Sequence, residues 1–267
     1  MTAFTFIDLF CGCGGFSLGM ERAGFTNLAA IDSNKEAMAV FRKNFPKVAH
    51  VLEEDLTKFR PEHLDALLQG RQVDVIVGGP PCQGFSKVRK VDGTNNGSRL
   101  VDDQRRHLYK EFLRYVEFFR PRVFVMENVL GIRSALGGEY FRRVQQEARA
   151  LGYRVHGQIE KAFELGVPQK RERQLFIGTR LDLPGYSTPT KQSRWDACST
   201  IMAHLSKDGL MFIHPTQSRS LTPREAARIQ SFPDWFEFPV SRMHQFRVIG
   251  NAVPPLVSEA IGNPAHN

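Results

Sequence analysis

Short runs of β-branched and other apolar residues alternate along this chain with longer stretches of helical periodicity. An alternation of this kind is typical of parallel strands joined by crossover helices. It predicts an α/β fold with a doubly wound, mostly parallel sheet. The predicted strands are Phe4–Phe10, Leu28–Ile31, Val73–Val77, Val123–Met126 and Leu175–Ile177, and the predicted helices are Met20–Ala23, Lys35–Asn44, Leu108–Phe119 and Tyr140–Leu151.

Length and composition limit the class of the protein. A chain of 267 residues is long enough for one large domain, or for one domain with a small appendage. No apolar run reaches the length of a membrane span, and the amino-terminal residues lack the features of a secretory signal. The four cysteines form neither a disulfide framework nor a zinc-binding spacing, so we expect no metal and a reducing, cytoplasmic setting. The net charge of +8 permits a polyanionic partner.

A single cysteine, Cys82, lies in the sequence GGPPCQGFS that follows the predicted strand Val73–Val77. The two prolines before it end the strand and stiffen the backbone. We therefore expect the thiol on a rigid turn at a strand end, where α/β enzymes place their reactive groups. The alternative is a structural turn with an incidental cysteine. The polar stretch Val88–Asp103 follows this turn and is interpreted as a lid that closes over a substrate.

A glycine-rich turn follows the first predicted strand, with the sequence DLFCGCGGFS. Such a turn between a first strand and a first helix lets a ligand approach the backbone closely. The glycine spacing is not G-x-G-x-x-G, which makes a dinucleotide less favoured. Asp32 ends the second predicted strand, where an acid can accept hydrogen bonds from ribose hydroxyls, and Asp55 can bind an adenine amino group. Together these features predict a cofactor that contains adenosine.

Charged and polar residues also accompany the later strands. Glu127 ends the strand Val123–Met126, and its carboxyl group is open to several roles: an acid, a base, a hydrogen-bonding anchor, or a surface residue at a capped strand end. In the sequence QKRER, alternation along an extended backbone would present Gln169, Arg171 and Arg173 on one face. Guanidinium groups are suited to bind phosphate or a carbonyl oxygen.

Two segments near the end of the chain have clear local signals. Thr222 is a good helix N-cap, Pro223 suits the first helical position, and Glu225 completes a capping box. The sequence GNAVPP, at Gly250–Pro255, predicts a tight turn before a short helix.

Six motifs occur in an order that closely resembles the DNA (cytosine-5-)-methyltransferase family of bacteria and phages. They are DLFCGCGG, GGPPCQGFS, ENV, QKRER, RSLTPREAARIQSFPD and GNAVPP, and the resemblance runs from Phe6 to about Ile261. It implies a Rossmann-like, S-adenosyl-L-methionine-dependent methyltransferase sheet with a reduced second domain. It also implies methyl transfer to C5 of a cytosine that is flipped out of duplex DNA.

The resemblance implies a role for each matching position. Cys82 would be the nucleophile that adds to C6 of the cytosine. Glu127 would be the partner of the cytosine ring, and Arg171 and Arg173 would contact base and phosphate. The implied cofactor is S-adenosyl-L-methionine, with S-adenosyl-L-homocysteine as product, and its site would be lined by Phe10, Gly12, Gly14, Asp32, Asp55 and Asn251. The implied contacts of the flipped nucleotide are Pro81, Gln83, Ser86 and Gln169.

The chain departs from the family between the QKRER and RSLTPRE motifs, where family members carry a sizeable target-recognition domain. Only Gln174–Ser218 separate the two motifs here. We therefore expect a catalytic domain at residues 1–180, an abbreviated target-recognition region at 181–218 and a return to the catalytic domain at 219–267. Three explanations stay open: a naturally minimal enzyme, a truncated or engineered core, and a core for which a partner subunit supplies recognition.

The resemblance also implies partners and a setting. We expect double-stranded DNA as substrate, a monomeric enzyme, and a bacterial or phage-encoded protein of the cytoplasm, with functional pairing to a restriction endonuclease as one biological role. Two other functions stay open on the sequence alone: the same chemistry on RNA, and a noncatalytic binding protein that keeps the cofactor fold. The latter predicts loss of Cys82, Glu127 or the arginines, and all are present.

Overall fold

Seven strands and eight α-helices form the part of the chain that the computed structural model describes, residues 3–81, 108–182, 197–205 and 212–263. The strands are β1 (Thr5–Leu9), β2 (Thr26–Asp32), β3 (His50–Glu53), β4 (Val75–Gly78), β5 (Val123–Val129), β6 (Arg154–Lys161) and β7 (Glu172–Thr179). The helices are α1 (Gly15–Arg22), α2 (Lys35–Asn44), α3 (Pro61–Leu68), α4 (Leu108–Phe119), α5 (Glu139–Ala150), α6 (Pro223–Ile229), α7 (Arg242–Asn251) and α8 (Pro255–Gly262).

One sheet holds all seven strands in the order β3-β2-β1-β4-β5-β7-β6. The first five strands pair in parallel, whereas β7 runs antiparallel to both β5 and β6. The chain moves outward from β1 to β3 and then crosses back to β4, so the strand order reverses between β1 and β4. In open α/β sheets the ligand site lies outside the carboxyl ends of the strands at this reversal. The sheet topology therefore predicts a ligand site outside the carboxyl ends of β1 and β4.

Helices cover both faces of the sheet. Successive residues of β1 point to opposite faces: Phe6 lies in an apolar cluster with residues of α1 and α8, and Ile7 lies in one with residues of α3, α4 and α5. Strands that are buried on both faces read as near-continuous apolar runs, which is why the sequence pattern predicted them. A third cluster joins α2 to α6 and α7 through Phe41, Phe45 and Phe236.

Most of the predicted elements are present, and the doubly wound, mostly parallel sheet is confirmed. The helices predicted at Lys35–Asn44 and Leu108–Phe119 have the predicted bounds, and the five predicted strands are β1, β2, β4, β5 and β7. The helix predicted at Met20–Ala23 is only the last part of α1, which begins within the glycine-rich turn. The predicted elements do not include β6, α3 or α7, and they give no bounds for β3. The strand β6 was missed because it is an edge strand with several exposed polar residues and no apolar run.

The carboxyl-terminal segment confirms one local prediction and corrects another. Thr222 Oγ1 accepts a hydrogen bond from the Glu225 backbone N–H at 3.3 Å, and Glu225 Oε2 accepts one from the Thr222 N–H at 2.8 Å, which is the predicted capping box. The predicted turn at Gly250–Pro255 is wrong at its start, because Gly250 and Asn251 are the last residues of α7. In the described residues, no helix combines the length and the apolar character that crossing a membrane requires.

Candidate active site at the carboxyl ends of the strands

The turn from β1 into α1 contains backbone conformations that residues other than glycine rarely adopt. Phe10, Gly12 and Gly14 have φ angles of 57°, 55° and 92°, in the left-handed region that favours glycine. A Cβ at Gly14 would also lie 2.4 Å from the Phe45 ring, and one at Gly12 would meet no described heavy atom within 4 Å. Position 14 therefore requires glycine for packing, whereas position 12 turns an open side of the backbone outward.

Asp32, at the end of β2, is hydrogen-bonded to this turn. Its Oδ2 accepts from the Gly12 N–H at 2.9 Å, and its Oδ1 accepts from the Asn34 N–H at 2.8 Å. Burial raises the pKa of Asp32, and these hydrogen bonds act against that shift. The structure thus brings together Gly12 and Asp32, two residues that the sequence assigned to one ligand.

The other two predicted cofactor residues lie on exposed positions. Asp55 follows β3 by two residues, and its Oδ1 accepts from the Thr57 N–H at 2.9 Å and from the Thr57 hydroxyl at 2.8 Å, which lowers the pKa of the Asp55 carboxyl. Asn251 is the exposed last residue of α7. Asp32 thus ends β2, and Asp55 follows β3, the neighbour of β2 in the sheet.

A second set of charges surrounds Glu127, near the end of β5. Arg173, on the paired strand β7, places its Nε 3.0 Å from Glu127 Oε1, and Arg171 Nη2 lies 3.9 Å from the same oxygen. Arg171 is almost completely buried. Burial is the main cause that lowers the pKa of Arg171 to about 9, and the positive charge of Arg173 is the second. The Glu127 carboxylate acts to raise this pKa. The guanidinium therefore keeps its positive charge at neutral pH.

The turn that follows β4 passes directly beside Glu127. A Cβ at Gly79 would lie 3.5 Å from Glu127 Oε2, and Asn128 Nδ2 donates a hydrogen bond to the Pro80 carbonyl at 3.3 Å. Pro81 is exposed at the end of the described segment. Cys82, Gln83, Ser86 and the predicted lid at Val88–Asp103 lie outside the described residues. Asn128 was missed as a site residue, although it adjoins Glu127 in the sequence ENV.

The structure separates Gln169 from the arginines with which it was grouped. Arg171 and Arg173 both approach Glu127, but the Gln169 side chain is fully buried and its amide is hydrogen-bonded to Gln230 and to the Ile201 backbone N–H. The predicted common face does not include Gln169, because the backbone turns there: the Gln169 N–H bonds the Val167 carbonyl at 2.7 Å, and the Gln169 carbonyl accepts from the Arg171 N–H at 2.9 Å.

Comparison with known families and relatives gives matches along almost the whole chain. The family model for C-5 cytosine-specific DNA methylases matches residues 4–205 and 187–266. The type II methyltransferase M1.HphI of Haemophilus parahaemolyticus is 34% identical over 322 aligned positions, which cover 96% of this chain and 85% of the relative. The type II methyltransferase M.XorII of Xanthomonas oryzae pv. oryzae is 30% identical, with 96% and 83% covered.

Solved structures support the same fold. A protein described as a DNA modification methyltransferase encoded within a prophage (E. coli) is similar with a TM-score of 0.77 and 26% identity, over 97% of each chain. The Entamoeba histolytica methyltransferase EhMeth shares the fold with a TM-score of 0.74 and 17% identity, again over 97% of each chain.

Proposed function

This chain belongs to the family of C-5 cytosine-specific DNA methylases, as its motifs predicted, and we propose how its residues carry out the reaction. As a DNA (cytosine-5-)-methyltransferase, it transfers a methyl group to C5 of cytosine. The proposal concerns the donor, the nucleophile and the residues around the base. The observation that carries it is the approach of the turn after β4 to Glu127, with Asn128 bonded to the Pro80 carbonyl.

We propose that S-adenosyl-L-methionine binds at the carboxyl ends of β1, β2 and β3. The residues present fit this molecule: Gly12 offers an open side of the backbone, and the exposed Asp55 carboxylate suits an adenine amino group. A carboxylate has about four lone-pair positions, and Asp32 uses two of them for the Gly12 and Asn34 N–H groups, which leaves acceptors for ribose hydroxyls. Phe10, Gly14 and Asn251 complete the set. When bound, the donor supplies an electrophilic methyl group on a sulfonium.

Cys82 is proposed as the nucleophile. Cytosine C5 is a poor nucleophile, and addition of a thiolate at C6 makes it enamine-like, so that it can accept an electrophilic carbon. The Cys82 sulfur forms a bond to C6, and C5 then takes the methyl group that the bound donor would supply, with S-adenosyl-L-homocysteine as the leaving group. A base or water removes the C5 proton, and Cys82 leaves as C5=C6 re-forms. In support of this role, Asn128 anchors the Pro80 carbonyl beside the base partner Glu127, and Pro80 precedes Cys82 by two residues in the sequence.

Glu127 and the two arginines are proposed to bind the base. Glu127 hydrogen-bonds N3 and the exocyclic amino group and stabilises charge that develops in the ring. Arg173 and Arg171 approach the Glu127 carboxylate and hold it in place, and their positive charge suits the base carbonyl and the phosphate. A stacked cytosine cannot reach these groups, so the target nucleotide has to be extruded from the duplex. Pro81, Gln83 and Ser86 would then surround it.

A short target-recognition region at 181–218 is proposed between catalytic segments 1–180 and 219–267. Two observations support it. The alignment with M1.HphI spans 322 positions, more than the 267 residues of this chain, so the relative carries residues that this chain lacks. The family model also matches in two segments that overlap only at 187–205. Of this region, the structure describes 181–182, 197–205 and 212–218.

Nucleoside analysis tests the proposed function. The protein is incubated with tritiated S-adenosyl-L-methionine and either unmethylated bacterial genomic DNA, which offers every short target sequence, or transfer RNA. We expect label in 5-methyl-2′-deoxycytidine from the DNA. Label in transfer RNA alone would overturn DNA as the substrate in favour of RNA. Absence of label from both would overturn independent activity and favour a core that requires a partner for recognition.

A further inference from the structure

Two buried glutamines, Gln169 and Gln230, lie behind the arginines of the site. We propose that they are positioning residues that fix the Arg171 guanidinium against Glu127. The inference rests on the proposed function, because it concerns the base end of the same site. It gives Gln169 a role that differs from the direct substrate contact implied by its motif.

The hydrogen bonds of Gln169 define the orientation of its amide. Neither glutamine is exposed to solvent. Gln169 Oε1 accepts from the Ile201 backbone N–H at 3.1 Å, and Gln169 Nε2 donates to the Ile229 carbonyl at 3.3 Å and to Gln230 Oε1. Because a backbone N–H can only donate, the Gln169 oxygen must face Ile201. Its amino group must therefore face Gln230.

The second amide continues the same sequence of donors and acceptors. Gln230 Nε2 donates to the Ala252 carbonyl at 2.6 Å, and a carbonyl can only accept. The two glutamines thus join four segments by hydrogen bonds of fixed donor and acceptor: the QKRER segment, residues 197–205, the end of α6 and the residue after α7. A buried polar network whose members are all paired fixes one arrangement of the segments that it joins.

This network reaches Arg171 through Gly250. Arg171 Nη1 donates to the Gly250 carbonyl at 3.1 Å, and Gly250 lies two residues before Ala252, which Gln230 holds. On its other side Gly250 is packed tightly, because a Cβ there would lie 2.4 Å from both Ala203 N and Met202 C. Those two residues follow Ile201 directly. The glutamine pair therefore bonds residues next to both sides of this acceptor: Ala252, two residues after Gly250, and Ile201, directly before Met202.

The orientation of Arg171 depends on that acceptor. Its side chain is 2% exposed, and within the described residues its Nε has no hydrogen-bond partner. Its Nη2 lies 3.9 Å from Glu127 Oε1, too far for a hydrogen bond, so Gly250 and not Glu127 supplies the directional contact. A shift of the Gly250 carbonyl would move the guanidinium relative to Glu127. The donor residues on β1 to β3 would be unaffected.

A double-mutant cycle between Gln230→Met and Arg171→Lys tests the inference. Methionine has nearly the shape of glutamine and removes only the amide. Single-turnover methylation of genomic DNA and the Kd of S-adenosyl-L-methionine are measured for each variant. We expect Gln230→Met to slow single turnover about tenfold, the factor that corresponds to a coupling of about 1.4 kcal/mol. The donor Kd should change by less than the rate, because Asn251 is the one proposed donor residue that adjoins the contacts of Gln230. In the Arg171→Lys background the same change should alter the rate by less than about threefold.

Gln245→Met is the matched control. The Gln245 amide also donates to a backbone carbonyl, that of Phe238 at 2.8 Å, but it has no part in the glutamine network. We expect a wild-type single-turnover rate for this variant. Equal rate losses for Gln230→Met in the wild-type and Arg171→Lys backgrounds would overturn the inference, as would a rate loss at Gln245 of the same size.

The same cycle is measured by urea unfolding, which needs no activity. The effects of the two substitutions on the free energy of unfolding are expected to be non-additive, whereas those of independent sites add. If the wild-type protein methylates nothing, the proposed function fails, but the unfolding cycle still supports or overturns the contact. If Gln230→Met does not fold, Gln169→Met measures the coupling from the other amide. If neither variant folds, so that no coupling to Arg171 can be measured, a positioning role is contradicted.

Discussion

The donor end and the base end of the site are held by different interactions. At the donor end, the backbone carries the geometry: Gly12 and Gly14 adopt left-handed conformations, and Asp32 accepts hydrogen bonds from backbone N–H groups. At the base end, side-chain charges carry it: Glu127 lies beside Arg171 and Arg173. One site can therefore be preformed in two ways, by glycine backbone conformation at its donor end and by paired charges at its base end.

This contrast has a practical consequence. A site built from backbone conformation is sensitive to an added Cβ, because a left-handed φ disfavours side chains and, at Gly14, the Cβ would also meet the Phe45 ring. A site built from side-chain charges is sensitive to the loss of one charge even when the shape of the side chain is kept. Removing one partner leaves another buried charge without compensation. Substitutions at the two ends should therefore separate donor binding from methyl transfer.

The largest effect is expected at Cys82. Cys82→Ala removes the nucleophile, and methyl transfer should fall by about 10⁴-fold or more, because no other group can add to C6. Donor binding, measured by equilibrium dialysis, should stay within about twofold of wild type, since the donor end does not depend on the thiol. Cys82→Ser should resemble alanine in transfer. Normal turnover by either variant would contradict the mechanism.

Glu127→Gln tests the charge-built end. The change keeps the side-chain shape but removes the negative charge beside two guanidinium groups. Single-turnover methylation should fall by about 10²- to 10³-fold, which is typical for the loss of one electrostatic contact to a developing charge. The donor Kd should not change. Glu139→Gln, which removes the exposed ion pair with Arg143, is the control and should leave the rate unaltered. A weaker donor affinity in Glu127→Gln would break the comparison.

Gly14→Ala tests the backbone-built end. Alanine at a φ of 92° costs about 1–3 kcal/mol, and its Cβ would press on the Phe45 ring, so both stability and donor affinity should fall. Urea unfolding and equilibrium dialysis measure the two effects. Gly24→Ala is the matched control, because Gly24 also has a positive φ of 89° but no described atom lies within 4 Å of a Cβ there. A loss confined to stability, with the same size in both variants, would contradict a role for Gly14 in the donor turn.

The smallest effect on turnover is expected from Asp8, which lies buried in β1. Ser17 Oγ donates to Asp8 Oδ2 at 2.7 Å, and burial raises the pKa of Asp8 to about 7 from an ordinary value of 3.8. Between pH 4 and 7 the folded protein therefore holds a proton that the unfolded chain has lost. The contribution of Asp8 to the free energy of unfolding is present in full below pH 3.8 and falls by up to about 1.4 kcal/mol per pH unit until pH 7.

Asp8→Asn provides the measurement of this dependence. The asparagine oxygen can still accept from Ser17, but the side chain no longer titrates. We expect the free energy of unfolding of the wild type, relative to this variant, to decrease with rising pH across the interval from about 4 to 7. Parallel curves for the two proteins would show that Asp8 does not titrate in this interval.

Much of the fold and part of the site followed from sequence. Buried parallel strands read as apolar runs, and Gly12, Asp32 and Glu127 adjoin the ends of such runs, so their meeting at one edge of the sheet was predictable. Gln169 was misplaced because an extended, alternating backbone was assumed at that residue. The backbone there turns, with the Gln169 N–H bonded to the Val167 carbonyl at 2.7 Å.

The contacts that sequence reasoning missed join distant parts of the chain. Asn128 reaches Pro80, Gln230 reaches Gln169, and the Gly250 carbonyl accepts from Arg171. Each contact depends on how separate segments pack, and neither periodicity nor spacing records that packing. Short-range features, such as the capping box at Thr222 and Glu225, could be predicted in full from the sequence.

Trapping of the covalent adduct tests the central claim most directly. Genomic DNA amplified with 5-fluoro-2′-deoxycytidine triphosphate has fluorine at C5, which cannot leave as the proton does, so the sulfur should stay bonded to C6 after methyl transfer. The protein is incubated with this DNA and S-adenosyl-L-methionine, digested, and analysed by mass spectrometry. The account predicts a DNA adduct on the peptide that contains Cys82, and none in Cys82→Ala. An adduct on another residue, or methylation of ordinary DNA without any trapped adduct, would contradict it.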